Sequence, residues 1–190
     1  MSVKEKKRGR PKGAGSQLST QAIMDMAKAM MQEDGKIPSI RKLASSLNVD
    51  AMAIYHYFNN KNALLEAITT SLIEDIYEPE ESANWKLALN ELCKSYLSLL
   101  KSYPGLLETL LTMKSPSPAA VFIERFHVVI EPLNLDTDSA KNALDLLVDY
   151  LHGYALALNC SDDQAGLNID MCEGPIGLYC MALENANKAS

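Results

Sequence analysis

The sequence lacks the features that mark a membrane protein, a disulfide scaffold or an enzyme. No apolar run approaches the roughly 18 residues of a membrane span, and no apolar segment follows the basic start, so we expect a cytoplasmic protein. The four cysteines are scattered without a Cys-x-x-Cys pair, which fits buried, reduced thiols. We find no nucleophile with its base, no phosphate-binding glycine loop and no metal-ligand spacing. We therefore predict no enzyme activity, no cofactor and no metal site.

Charge is distributed unevenly along the chain. The net charge is −6, but residues 1–66 carry +5 and residues 67–190 carry −11. A basic head on an acidic body allows one face to approach phosphate while the rest repels it. We divide the chain into a flexible basic arm (1–17), a head (18–66) and a body (67–190).

The hydrophobic pattern from Leu18 onward is helical, without convincing period-two alternation, and predicts an all-α fold. Ser19 or Thr20 is expected to cap the first helix, Gly35 to end it, and Ser39 to cap the second. The polar stretch 161–174 is expected to be a mobile loop. The remaining helices are predicted at about 51–58, 61–77, 84–102, 104–114, 118–131, 137–160 and 175–188.

The first three predicted helices, with a tight turn between the second and third, form a helix-turn-helix arrangement. Asn48 lies in the turn, where the chain leaves a helix through a left-handed conformation that asparagine tolerates. Ala44 is small enough to let the two helices cross closely. Val49 and Ile54 are expected to close the core behind the turn.

The segment IRKLASSLNVDAMAIYHYFNNKNALLEAI, residues 40–68, carries Leu-Ala-x-x-Leu-x-Val, Ile-Tyr-x-x-Phe and Asn-Lys-x-x-Leu-Leu at fixed spacing. In these features it resembles the DNA-binding domain of the tetracycline-repressor (TetR) family, over about residues 18–70. The chain departs from the family pattern at Asn48, where glycine is usual, and at Tyr55-His56-Tyr57-Phe58, where Tyr-x-His-Phe is common. The resemblance implies a three-helix helix-turn-helix DNA-binding domain followed by an all-helical ligand-binding and dimerisation bundle.

Four bulky side chains in a row, at positions 55–58, cannot all face one core. Ile54 and Phe58 are expected to be buried against the second helix, so that the intervening rings face DNA. The competing interpretation is that one or two of these rings pack on the first helix, and Asp50 is better explained as a helix cap than as a base contact. The predicted DNA-binding residues of this region are Ser39, Arg41, Asp50, Ala51, Met52, Ala53, Tyr55, His56, Tyr57 and Lys61.

The arm carries a second motif, KRGRPKG at residues 7–13, which resembles an AT-hook core. Arg8 and Arg10 flank a glycine that lets the backbone enter a narrow minor groove, and Pro11 keeps the chain extended. We predict that both arginines contact DNA. The alternative is a basic tail that attracts any phosphate backbone.

A short recognition helix reads few base pairs, so a homodimer on a palindromic operator is expected. The last two predicted helices are apolar over much of their circumference, which favours a bundle shared between subunits. The predicted dimer-interface residues are Leu147, Leu151, Tyr154, Ala155, Leu178, Met181 and Ala182.

The resemblance also implies a small-molecule pocket in the body whose occupation moves the fourth helix. The competing interpretation of His127 and His152 is that each is a hydrogen-bonded histidine buried in the core or the interface rather than a ligand contact. Tetracycline itself is not supported, because Tyr103-Pro104-Gly105 stands where magnesium-tetracycline binding requires a histidine. The candidate pocket residues are Tyr96, Tyr103, Met113, His127 and His152.

These observations predict a ligand-responsive transcriptional regulator, a repressor released from double-stranded operator DNA by an unidentified small-molecule inducer. The competing hypothesis is an architectural protein that prefers A·T-rich DNA and needs no ligand. The two hypotheses differ in a measurable property, because an architectural protein has weak sequence preference.

Overall fold

The computed structural model describes residues 18–80, 84–160 and 166–186. These residues form nine α-helices and no strand, which confirms the predicted all-α fold. None of the helices in the described ranges is both long and apolar enough to cross a membrane. The helices are α1 (Thr20–Asp34), α2 (Ile40–Ser46), α3 (Ala51–Tyr55), α4 (Lys61–Glu74), α5 (Trp85–Ser102), α6 (Leu106–Thr112), α7 (Ser117–Ile130), α8 (Thr137–Cys160) and α9 (Glu173–Ala186).

The helix-turn-helix forms through local signals at its caps and turn. Ser19 and Ser39 cap α1 and α2, and their hydroxyls accept from the backbone N–H groups of Ala22 and Lys42. Gly35 ends α1 at φ 63°, and Asn48 adopts φ 54° in the turn between α2 and α3. Both left-handed positions were predicted from residue type.

Helix α3 is shorter than the predicted range of 51–58, because it ends at Tyr55. The chain then closes a tight turn in which the N–H groups of Tyr57 and Phe58 both donate to the carbonyl of Ile54, at 3.0 and 3.1 Å. Ile54 is fully buried and Phe58 nearly so, as predicted. Asn60 then caps α4 through a hydrogen bond from the N–H of Ala63.

Helix α4 connects the head to the body, and the predicted boundary at residues 66 and 67 lies inside it. On the head side, Lys28 of α1 donates to the hydroxyl of Ser71 at 2.8 Å. On the body side, α4 packs along α7 and against α5. One continuous helix therefore takes part in both cores.

The body is built around α5, which contacts α7, α8 and α9. The predicted loop of 161–174 is wrong for part of its length, since Ile169–Cys172 forms a 3-10 turn and α9 already begins at Glu173. Two contacts hold this turn in place. Cys172 is fully buried, and Lys94 on α5 pairs with Asp170 at 3.0 Å and also with Glu173.

Candidate functional site

Helix α3 presents a small exposed surface on the head. Met52 is 64% exposed, and Ala51 and Ala53 are half-buried on either side of it. The side chain of Asp50 accepts from the N–H of Met52 at 2.7 Å, so Asp50 caps the helix as the cap interpretation predicted. The methyl groups of the alanines and the thioether of Met52 are therefore the groups that α3 offers to a base edge.

The three rings after Ile54 are exposed but differ in their contacts. Tyr55 is 41% exposed and its hydroxyl forms no hydrogen bond within the described residues, and His56 is likewise exposed. Tyr57, at 42% exposed, donates its hydroxyl to the carbonyl of Leu18 at 2.6 Å. The competing interpretation, that a ring packs toward the first helix, thus applies to Tyr57. Tyr55 and His56 retain free polar groups.

The predicted phosphate contacts are exposed on the helices that precede and follow α3. Ser39 and Arg41 are exposed at the start of α2, and Lys61 is exposed as the first residue of α4. Lys42, also on α2, instead forms an ion pair with Asp34, with 2.5 Å between Nζ and Oδ2. The predicted minor-groove residues Arg8 and Arg10 lie outside the described residues.

A cavity of about 470 Å³ lies in the body between α4, α5, α6, α7 and α8. Its volume is in the range of sites for small molecules. Three of the predicted pocket residues, Tyr96, Met113 and His152, line this cavity. Its other lining residues are Ile73, Leu110, Leu111, Ser115, Pro118, Ala119, Phe122, Ile123, Leu144, Asp145, Val148 and Asp149.

Two of the predicted pocket residues do not line the cavity. His127 is exposed on α7, where its ring stands edge-on to Phe126 with 5.8 Å between the centroids. Tyr103 lies half-buried just after α5. Sequence spacing placed both near apolar faces but did not reveal which side of the helix the cavity occupies.

The polar centre of the cavity is a hydrogen bond between Tyr96 on α5 and His152 on α8, with 2.9 Å between Oη and Nε2. Burial lowers the pKa of His152, and the charge of Asp149 partly opposes that shift. Burial also raises the pKa of Tyr96. Both rings are therefore neutral near pH 7, and Phe122 packs against Tyr96 with 4.8 Å between ring centroids.

Helix α7 holds α4 at two points. Near the middle of α4, the carboxylate of Glu66 accepts from the hydroxyls of Ser115 and Ser117 at 2.6 and 2.8 Å. These two hydrogen bonds lower the pKa of Glu66. At the C-terminal end of α4, Arg125 donates to the backbone carbonyls of the last two helical residues and of one residue just beyond them. The acceptors are Ile73 at 3.4 Å, Glu74 at 2.9 Å and Ile76 at 2.6 Å.

The head and body also meet where the end of α1 touches the turn between α5 and α6. Gly105 adopts φ 85°, and a Cβ at this position would lie 2.9 Å from the carbonyl oxygen of Gly35. Glycine is therefore required here for both its left-handed backbone and the close approach. Sequence reasoning missed this contact and the α7–α4 contacts, because no local pattern indicates a partner about 50 or 70 residues away.

The outer sides of α8 and α9 expose large apolar groups. Leu178 is 65% and Met181 50% exposed, and Ala182 is exposed beside them. On α8 the exposed face carries Leu146 and Leu156. Exposed apolar side chains of this kind are typical of a protein–protein interface.

The predicted interface stripe on α8 needs correction. Leu147, Leu151 and Ala155 are at most 1% exposed and lie in the core of the protomer, and Tyr154 is half-buried with its hydroxyl on the carbonyl of Asn168. The apolar period identified the core-facing side of the helix. Leu146, one residue away, lies on the exposed side, because adjacent helical residues point about 100° apart.

No group of three or more His, Cys, Asp or Glu side chains in the described ranges is arranged to hold a metal ion. A helix-turn-helix with an exposed third helix, joined by one helix to a helical body that contains a cavity, is the architecture of a DNA-binding transcriptional regulator. Comparison with known proteins agrees with this class. The sequence matches the bacterial regulatory proteins of the tetR family over residues 23–68 and the tetracyclin repressor-like C-terminal domain over residues 78–171. The chain belongs to the TetR family of transcriptional regulators.

Three similar proteins illustrate the relationship. The tetracycline repressor protein class G of Vibrio anguillarum is 38% identical over 66 residues, which are 33% of this chain and 31% of that protein. The match thus spans about a third of the relative's length. ActR of Streptomyces coelicolor in complex with (S)-DNPA has a TM-score of 0.73 at 18% identity, covering 90% of this chain and 100% of that one. BioQ with its double-stranded DNA operator has a TM-score of 0.68 at 18% identity, covering 89% and 99%.

Proposed function

We propose that this protein is a repressor that binds a palindromic operator as a homodimer and leaves it when a small molecule occupies the body cavity. In this proposal residues 1–17 are the basic arm, 18–66 the DNA-binding head and 67–190 the sensory and dimerisation body. The observation that carries the proposal is the position of α4. The same helix bonds to α1 through Ser71 and contributes Ile73 to the cavity wall.

The route from the cavity to the head is short. Pro118, Phe122 and Ile123 of α7 line the cavity, and α7 holds α4 through Arg125 and Glu66. A ligand that displaces α7 therefore displaces α4, and α4 carries the head with it. A coupling free energy of about 1–3 kcal/mol would change operator affinity by roughly 5- to 150-fold.

Dimerisation supplies the second DNA-binding head that a palindromic operator requires. Two copies joined through the exposed faces of α8 and α9 would present two α3 helices to successive turns of the major groove, about 34–36 Å apart. Among structurally similar proteins, ActR has been crystallised with the small molecule (S)-DNPA and BioQ with its double-stranded DNA operator. These neighbours support the same two binding activities for this chain.

The test is release of operator DNA. A duplex recovered from a random library is labelled, the full-length protein is added to half-saturation, and a small-molecule library is screened for loss of fluorescence anisotropy. We expect some compounds to release the duplex from the wild type but not from Ala119→Trp, because the larger side chain on the cavity wall reduces the space for a ligand. Release that is unchanged in Ala119→Trp would contradict a role for this cavity, and sequence-independent DNA binding would favour the architectural alternative.

A further inference from the structure

We infer that the body cavity selects an aromatic or similarly apolar molecule that carries a positive charge, such as an arylalkyl ammonium ion, and rejects the matching carboxylate. This inference rests on the proposed function only in naming the cavity as the sensory site. The evidence comes from the charge and the contacts of the lining residues.

The walls of the cavity are mostly apolar and include two aromatic rings in tilted contact. Phe122 packs on Tyr96, and leucine, isoleucine, valine and methionine side chains supply most of the remaining surface. Burial of an aromatic ligand against such walls supplies the affinity, at about 25 cal/mol for each Å² of apolar surface removed from water. Polar lining groups then decide which apolar molecules are admitted.

The lining residues carry charge of one sign only. Asp145 and Asp149 lie one turn apart on α8, and neither lysine nor arginine is among the described residues that line the cavity. Lys141 neutralises Asp145 through an ion pair of 2.6 Å. The side chain of Asp149, which is exposed, forms no hydrogen bond or ion pair within the described part of the chain.

The free carboxylate of Asp149 is therefore the group that a ligand cation can pair with. Its one described interaction is electrostatic, with His152 on the next turn. Burial lowers the pKa of His152, so the imidazole is neutral near pH 7 and does not compete with the cation for Asp149. An anionic ligand would meet Asp149 without a compensating positive charge.

The test uses three naphthalene probes that differ in one group at the same ring position. Naphthylmethylamine is positive at pH 7, naphthylmethanol is neutral and naphthoate is negative. Calorimetric titration of the full-length protein without DNA should give the tightest binding for the amine and the weakest for the carboxylate. We expect about threefold between the amine and the alcohol, since an exposed ion pair is modest and salt-sensitive.

Two matched variants locate the effect. Asp149→Asn should reduce the affinity for the amine to that for the alcohol, whereas Asp138→Asn removes the same charge from α8 outside the cavity and should leave the order intact. Equal binding of naphthoate and the amine, equal effects of the two variants, or no binding of any probe would overturn the inference. Ala119→Trp should weaken all three probes, and unchanged binding in that variant would place them elsewhere and also overturn it.

The outcome is separable from that of the proposed function. The probe order is measured without DNA, so it stands even if no compound releases the operator. Conversely, operator release by neutral or anionic compounds through the same cavity would support the regulator and contradict the charge selection.

Discussion

The molecule exposes apolar groups on two surfaces that differ in composition. The head surface, formed by Met52, Tyr55 and His56, mixes one thioether with rings that carry polar atoms, and the preceding and following helices expose Arg41 and Lys61. The outer surface of α8 and α9 exposes Leu178 and Met181 together with other aliphatic side chains.

This difference indicates two kinds of partner. Base edges are polar and phosphates are negatively charged. A surface that binds both therefore needs hydrogen-bonding atoms and nearby positive charge. A second protein copy offers an apolar face, so leucine and methionine are sufficient there. Exposure alone does not distinguish the two surfaces, whereas the chemistry of the exposed groups does.

The largest expected effect comes from placing a charge on the outer surface. Leu178→Glu should weaken dimerisation by at least about a hundredfold, because a two-fold interface buries the substitution twice and hot-spot positions cost 2 kcal/mol or more. Analytical ultracentrifugation measures the dimer, and circular dichroism checks the fold. Leu111→Glu, at a leucine of equal exposure on α6, should leave the dimer intact. A dimer that survives Leu178→Glu would contradict the assignment of this surface.

The next effect concerns the connection between the surfaces. Arg125→Met keeps the aliphatic stem but removes the donors to the carbonyls at the C-terminal end of α4, and should cost about 1–3 kcal/mol of unfolding free energy. Urea denaturation followed by circular dichroism measures the loss. Lys101→Met removes a positive charge from an exposed site on α5 and should cost under 0.5 kcal/mol, as surface changes usually do. Equal losses would mean that the guanidinium contacts do not support α4.

A smaller effect separates the two tyrosines of the head surface. Tyr55→Phe should weaken operator binding about fivefold and leave the melting temperature unchanged, because the hydroxyl of Tyr55 is free for a phosphate. Tyr57→Phe should lower stability by about 1 kcal/mol through loss of the hydrogen bond to Leu18, with the lesser effect on DNA. Anisotropy titration and thermal melts of both variants measure the two effects. A larger loss of DNA affinity in Tyr57→Phe, or a larger loss of stability in Tyr55→Phe, would contradict these roles.

The smallest effect concerns His152 in the body cavity. Burial holds the pKa of His152 below its unfolded value of 6.5, so its neutral form contributes stability above about pH 6.5 that is lost as the pH falls through the folded pKa. The wild type should therefore lose more of its melting temperature between pH 7.5 and pH 5 than His152→Gln. Parallel melts at the two pH values measure the difference, and equal losses would show that His152 does not contribute.

The fold could be predicted from sequence because its signals are local. Ser19, Gly35, Ser39 and Asn48 perform in the structure the capping and turn roles that their residue types indicate. The length of α3 was overestimated, since the turn after Tyr55 depends on tertiary packing of Phe58 rather than on a breaking residue.

The functional surfaces were predicted less completely, because they depend on contacts between distant parts of the chain. A helical period reveals an apolar side but not what covers it, so Leu147 and Leu151 were assigned to an interface although they form the core. Asp149 was overlooked because a carboxylate at the edge of an apolar stripe looks like an ordinary solvated residue. Arg125 has no local pattern that points to α4.

The most direct test of the central claim is selection from a random duplex library by the wild type and Leu178→Glu in parallel, at two salt concentrations. We expect the wild type to recover a palindrome, with half-sites about one helical turn apart or closely overlapping. Leu178→Glu should recover a single half-site, or nothing, at the same protein concentration. Recovery of no motif by the wild type, with a steep salt dependence of binding, would contradict the account, because binding would then be general attraction to phosphate.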